Sequence, residues 1–227
     1  MKKLLALFVL LLASVPASAV TYSYTGSPYT VTLDFTACVL GNCANFTATD
    51  NVTVQFVTAQ RLPANLVFSD IGPLVTSFTA SDGLTTYATG DANVRVHTVT
   101  VSTDANGAVT DADITVERWQ TAGAVHALGD RFDFFQITPG FITQAFHNAS
   151  CSGIGVSPAG TADTCLAAVA DTGISRGNGV ASAPFAILAI GIATQVPTLS
   201  EYALILLAAL MALAAMASMR RNGHTRS

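Results

Sequence analysis

The residues with chemistry to offer are few. Four cysteines, Cys38, Cys43, Cys151 and Cys165, form two local couples. An even count favours disulfides in an exported chain. Three pairings are possible, and we expect the local one, Cys38–Cys43 with Cys151–Cys165. C-x2-C spacing is absent and only His147 lies near a couple, so no metal centre is expected there. Asp104, Asn106, Asp111 and Asp113 crowd one stretch, and residues 111 and 113 share a strand face. Oxygen ligands suit calcium. The full EF-hand series and its terminal Glu are missing, so a turn with solvated acids is the simpler expectation. Asp130 and Asp133 flank Arg131, and Glu117 lies close to Trp119. Carboxylate pairs serve glycoside hydrolysis, but the spacing places no two of these at a working distance, and surface acids explain them more simply. Gly155-Val156-Ser157-Pro158-Ala159 approaches a G-x-S-x-G elbow. Its fifth residue is Ala, and Pro158 has no N–H for an oxyanion. His97, His126 and His147 are scattered without metal spacing. Trp119, Tyr87 and Phe134 offer rings for sugar stacking, although core packing is the expected role. Asn45, Asn51 and Asn148 open N-x-S/T sequons, as chance allows in a Thr-rich chain.

Charge narrows the function further. Only 11% of the 227 residues are charged, against about 25% in a typical soluble domain. The only lysines are Lys2 and Lys3. Between residues 20 and 195 stand five arginines against thirteen acids, a net charge near −8. Such a surface repels phosphate backbones, so nucleic-acid binding is not expected. The absence of lysine from this segment excludes Schiff-base and P-loop chemistry.

These residues sit in a pattern of short alternating strands rich in Thr, Val, Phe and Tyr, at about 29–37, 51–57, 75–79, 93–103, 108–119 and 132–137. Turn residues punctuate them, at Gly26-Ser27-Pro28, Ser81-Asp82-Gly83, Asn106-Gly107 and Pro139-Gly140. The clearest unit is a hairpin around Asn106-Gly107. No amphipathic helix of twelve residues or more appears, and one short helix is conceivable at 166–170. Residues 151–179, rich in small residues, read as a disulfide-pinned loop, and 185–193 as a final buried strand. The fold class is mainly β, an antiparallel β-sandwich or jelly-roll-like domain.

The two ends speak of location. Met1-Lys2-Lys3, an apolar stretch of about ten residues, and Ala17-Ser18-Ala19 form a signal peptide with cleavage after Ala19. At the other end Val196-Pro197-Thr198-Leu199-Ser200-Glu201-Tyr202 precedes an uncharged apolar run at 203–219, then Arg220-Arg221. A run of that length and character suits a membrane-spanning helix. The arginines hold the end in the cytoplasm. We therefore expect a signal peptide at 1–19, an extracytoplasmic β domain at 20–195 and a sorting tail at 196–227, comprising motif, helix and a basic end at 220–227.

That tail resembles the IPTL-CTERM sorting signal, a relative of the PEP-CTERM tails handled by exosortases. Val196 stands where Ile is usual and Tyr202 where Trp is usual; neither changes the character of its position. The resemblance implies recognition by an exosortase-like membrane transpeptidase, transient or retained anchoring in the inner membrane, and delivery to the cell surface or beyond. The first half of the domain, through Tyr24 to Tyr29, Leu62 to Leu66 and Ser102 to Asp104, resembles ectodomains that accompany such tails. This supports location rather than chemistry. The expectation is a non-enzymatic exported surface or matrix protein without cofactor. A carbohydrate-binding module acting on exopolysaccharide is the alternative, and a secreted hydrolase the remote one.

Overall fold

The computed structural model describes residues 18–192 apart from Ala124, together with positions 207, 208 and 211. The signal segment through Ala17, the motif 196–202, nearly all of 203–219, and Arg220 and Arg221 lie outside the described residues. Among the described residues no helix is long and apolar enough to cross a membrane.

Among the described residues thirteen strands are laid down in order: β1 (Ser18–Thr25), β2 (Tyr29–Leu33), β3 (Thr53–Thr58), β4 (Ser69–Asp70), β5 (Val75–Ser81), β6 (Thr86–Ala88), β7 (Val94–Thr103), β8 (Val109–Trp119), β9 (Arg131–Thr138), β10 (Ile142–Gly155), β11 (Thr164–Val169), β12 (Ser175–Gly179) and β13 (Ala186–Ile192). One sheet runs β13-β1-β3-β5-β6. The other runs β2-β12-β10-β9-β8-β7-β4, with β11 paired to β10. The strand pairs with assigned register are antiparallel, so the architecture is β-sandwich-like.

Alternation builds the core. Ala112, Ile114 and Val116 of β8 and Phe135 and Ile137 of β9 are buried in one cluster with Tyr22, Tyr24 and Phe56 of the small sheet. Burying aromatic rings contributes most of the area, and stacking adds to it; Tyr22 lies 4.8 Å from Phe56, nearly parallel. A buried phenol still needs a partner for its hydroxyl. Tyr22 donates to the Gly107 carbonyl at 3.2 Å and accepts the Leu62 N–H. Tyr24 donates to Phe141 O at 3.0 Å, and Tyr29 to Asp82 O at 2.8 Å. Each of the three bonds that these hydroxyls donate joins a strand of one sheet to a turn of the other.

A second, smaller cluster forms behind the large sheet from Trp119, Phe132, Phe134, Ala149, Cys151, Cys165 and Ile174. The Cys151–Cys165 disulfide lies in it, and Cys38–Cys43 closes the loop after β2. Both pairings agree with the local expectation.

The sequence expectation fails in the last third. Residues 151–179 are not one loop, since they hold the end of β10, all of β11 and all of β12. The short helix at 166–170 is instead β11, held by its ladder to β10. The strand at 185–193 exists as β13, but it is an edge strand with Leu188 exposed rather than a buried one.

One buried group ties these parts together. The Asp133 carboxylate accepts the Thr85 hydroxyl at 2.9 Å, the Gln120 amide at 2.7 Å and the Asn148 N–H at 2.8 Å, and pairs with His147 at 3.0 Å. Burial pushes its pKa up, but the His147 hydrogen bond and charge outweigh that and hold it below the usual carboxylate range. Burial pulls His147 down, and Asp133 more than reverses it. The pair stabilises the fold fully between the ordinary Asp and His pKa values; the contribution fades as pH falls toward the depressed Asp133 pKa or rises toward the raised His147 pKa, and is gone beyond either. Asp133→Asn leaves a buried charge unpaired, so a loss of about 3–5 kcal/mol near pH 6 is expected. Urea unfolding of both proteins would measure it, and the gap should narrow as the pH rises through the His147 pKa.

Candidate functional site

The large sheet turns a second face away from the sandwich core. On β8 this face carries Asp113, Thr115 and Glu117, two residues apart, as the strand pleat requires. Register then sets rows across five strands. Thr98, Thr115, Gln136, Gln144 and Asn178 form one row through β7, β8, β9, β10 and β12. Arg95, Glu117, Phe134, Phe146 and Arg176 form the next. The aromatic rings stack on one another, with Phe134 4.5 Å from Phe146 and 5.3 Å from Phe132. The Arg176 guanidinium lies 6.0 Å over the Phe146 ring.

β11 stands beside these rows as a wall. Between wall and sheet runs a cleft of about 400 Å³, lined by His97, Asp113, Thr115, Glu117, Gln136 and Phe146 among others. Glu117 is 1% exposed. One carboxyl oxygen accepts the Cys165 N–H at 2.7 Å, which fastens β11 to β8. Burial pushes the Glu117 pKa up to about 8, against the pull of the Cys165 N–H and the Arg95 charge. At neutral pH Glu117 is therefore a neutral carboxylic acid, and it stands in the cleft beside the Asp113 carboxyl and hydroxyl and amide groups, a hydrogen-bonding set that suits a polar ligand.

Several sequence candidates turn out to be architectural. Trp119 and Tyr87 are fully buried, so neither offers a sugar-stacking face. Trp119 stacks on His126 at 4.2 Å and donates to the Asp163 carbonyl. His126 and Arg95 both pair with the Asp163 carboxylate, at 2.7 and 2.8 Å. Phe134 does line the cleft, but its ring faces are taken by Phe132 and Phe146. Ser157 donates its hydroxyl to Val96 O at 2.9 Å and holds a turn through Thr161. Asp130 accepts the Ala127 N–H, a local turn bond, while Asp133 belongs to the buried network. Asn148 is fully buried and spends its side-chain amide on Leu40 O, Cys43 Sγ and Gly173 O, so it is no glycan acceptor in the folded domain.

The four residues offered for calcium are not gathered. Asp104 caps its own hairpin turn, accepting Asn106 N–H and Ala108 N–H, and these bonds lower its pKa. Asp111 accepts the N–H groups of Ala112 and Gly140. Asp113 faces the cleft. Among the described residues no group of three or more His, Cys, Asp or Glu side chains is placed to hold a metal.

Outside this domain, residues 194–221 match the IPTL-CTERM motif. The chain carries an IPTL-CTERM motif. The match takes in the expected motif, apolar run and paired arginines, and it fits an exported cell-surface protein. No curated protein and no solved structure matches the chain. The cleft was legible only in part from the sequence. Glu117 and Phe134 stand out in the sequence, while Thr98, Gln136 and Phe146 do not, because only cross-strand register brings them together.

A buried acid of raised pKa costs stability once the unfolded state can ionise. The cost grows from the ordinary Glu pKa to about 8 and is absent below that range. Glu117→Gln keeps an acceptor for Cys165 and removes the charge. It should leave stability at pH 4 nearly unchanged and raise it at pH 8 by on the order of 2–4 kcal/mol. Thermal melts across pH 4–9 would show the wild-type slope and its flattening.

Proposed function

We propose that the protein is a non-enzymatic surface or extracellular-matrix protein, exported by its signal peptide and sorted through its tail by an exosortase-like membrane transpeptidase. The observation that carries this is the IPTL-CTERM match at 194–221. Physical features of the tail agree with it. Pro197 fixes φ, lacks an N–H and biases Val196 to extended backbone, a form suited to an enzyme cleft. The apolar run at 203–219 is long enough to span a bilayer as a helix, and Arg220 and Arg221 stop transfer at the cytoplasmic side. At the other end, Val20 is the first residue of β1 to pair with β3, opposite Thr58. Cleavage after Ala19 keeps that ladder whole.

In this mechanism the membrane helix holds the exported domain at the outer side of the inner membrane until the transpeptidase reads the motif and removes the helix. Deleting 203–219 should abolish surface display and leave the domain free in the periplasm or medium. Pro197→Ala should lower display several-fold and accumulate the uncleaved precursor. Surface immunolabelling with fractionated immunoblots would score both; unchanged display would refute the sorting role.

A second reading, carbohydrate binding to exopolysaccharide, is favoured by the cleft on the large sheet. Its row of hydroxyl and amide side chains offers donors and acceptors to sugar hydroxyls. Since the phenylalanine faces are occupied, recognition would rest on hydrogen bonds to Gln136 and Thr98. On a glycan array the domain should bind a neutral oligosaccharide, and Gln136→Ala should weaken binding about ten-fold, the loss of roughly one good hydrogen bond. An array with no hits would remove this reading and leave the sorting role untouched.

A further inference from the structure

The two sheets do not close evenly over the main core. Between β5 of the small sheet and β7 of the large one a cavity of about 300 Å³ remains, open at one side. Its depth is set by Phe56, Ile114 and Phe135, all buried. Toward the mouth stand Val75, Phe78 and Val99, partly buried and packed against the core. Thr76, Thr89 and Thr161 are the polar side chains at its lining, which holds no charged residue.

Protein interiors leave few voids larger than a water molecule. A dry apolar cavity of about 150 Å³ already admits benzene, and this one has roughly twice that volume. Water would be poorly held in it, because two of the threonines are already engaged. The Thr76 hydroxyl donates to Val57 O at 3.1 Å, and Thr89 Oγ1 accepts the Phe78 N–H at 2.7 Å. An ion inside would lack any countercharge. Volume, lining and neutrality together select one chemistry.

We infer that this cavity is a binding site for a neutral medium-chain aliphatic molecule of roughly ten carbons, its polar end at the threonine mouth. The site is separate from the cleft on the outer face and from the sorting tail. It exists in the delivered domain whether or not the tail is processed. The compact unit Ala17–Gly191 contains both clusters of buried residues and both disulfides, so residues 20–195 can be tested as an isolated domain.

The neutral fluorophore N-phenyl-1-naphthylamine serves as the probe, displaced by hexanol, octanol, decanol and dodecanol. Each added methylene should tighten binding about four-fold until the chain outgrows the cavity near ten carbons, where the gain stops. Val99→Phe and Ala159→Phe place a ring at the lining and should weaken probe and decanol alike by at least ten-fold. A melting temperature at or above wild type for either variant shows that the fold is retained and the cavity filled. The proposal is overturned if the probe does not bind, if the alcohols show no chain-length dependence, or if a folded filled variant binds as well as wild type.

Discussion

The Asp133 carboxylate is the interaction on which the rest of this domain rests. The ladder between β9 and β10 breaks between Phe146 and Ala149, where Asn148 adopts a positive φ of 61°. His147 and Asn148 thus stand opposite Asp133 alone, and the one extra residue frees backbone groups that must find partners. Asp133 takes the freed Asn148 N–H and the His147 ring, and reaches across to Thr85 in the turn before β6. Before the break β10 pairs with β12, and after it with β11. A single strand thereby changes partner, and the chain can fold β11 back beside the outer face. Without that change of partner there would be no wall, and the cleft would be an open sheet.

Much of the main sandwich was legible because its strands obey the simplest rule. β3, β5, β7, β8 and β9 alternate apolar and polar residues between turn-forming residues, and the Asn106-Gly107 turn sits where the β7–β8 hairpin needs it, with Gly107 at φ 72°. The last third escaped for a physical reason. β11 and β12 read Thr-Cys-Leu-Ala-Ala-Val and Ser-Arg-Gly-Asn-Gly, and neither sequence has strong strand propensity. Their state is decided by pairing with β10. Gly177 illustrates the point, since a side chain there would overlap the Tyr29 ring packed against it. Glycine in β12 answers a close approach that no local pattern announces.

The two acids singled out by burial show how position, not residue type, sets character. Asp82 is fully buried in the turn after β5, and burial pushes its pKa up to about 6 while the Tyr87 hydroxyl and the N–H groups of Leu84 and Thr85 resist. Asp133, also buried, goes the other way because a histidine faces it. Sequence shows only twelve aspartates; three-dimensional neighbours sort them into turn-formers, ion-pair partners and members of a buried network. The same logic explains why Asp130 and Asp133 hold a turn and a buried network while Glu117, from the same short list of acids, lines the cleft with residues that carry no motif.

β13 is the last strand of the domain and lies at the edge of the small sheet, bonded along one side to β1. It is also the strand from which the chain runs on toward residue 194. Any protein tethered through its C-terminal end transmits drag from the surroundings into its final ordered element first. Were this chain held through residues beyond β13, that load would fall on the ladder between β13 and β1, the first of the described strands. Hydrogen bonds sheared together resist far more force than bonds opened one at a time. The seam between the first and last described strands would be the first to carry such a load.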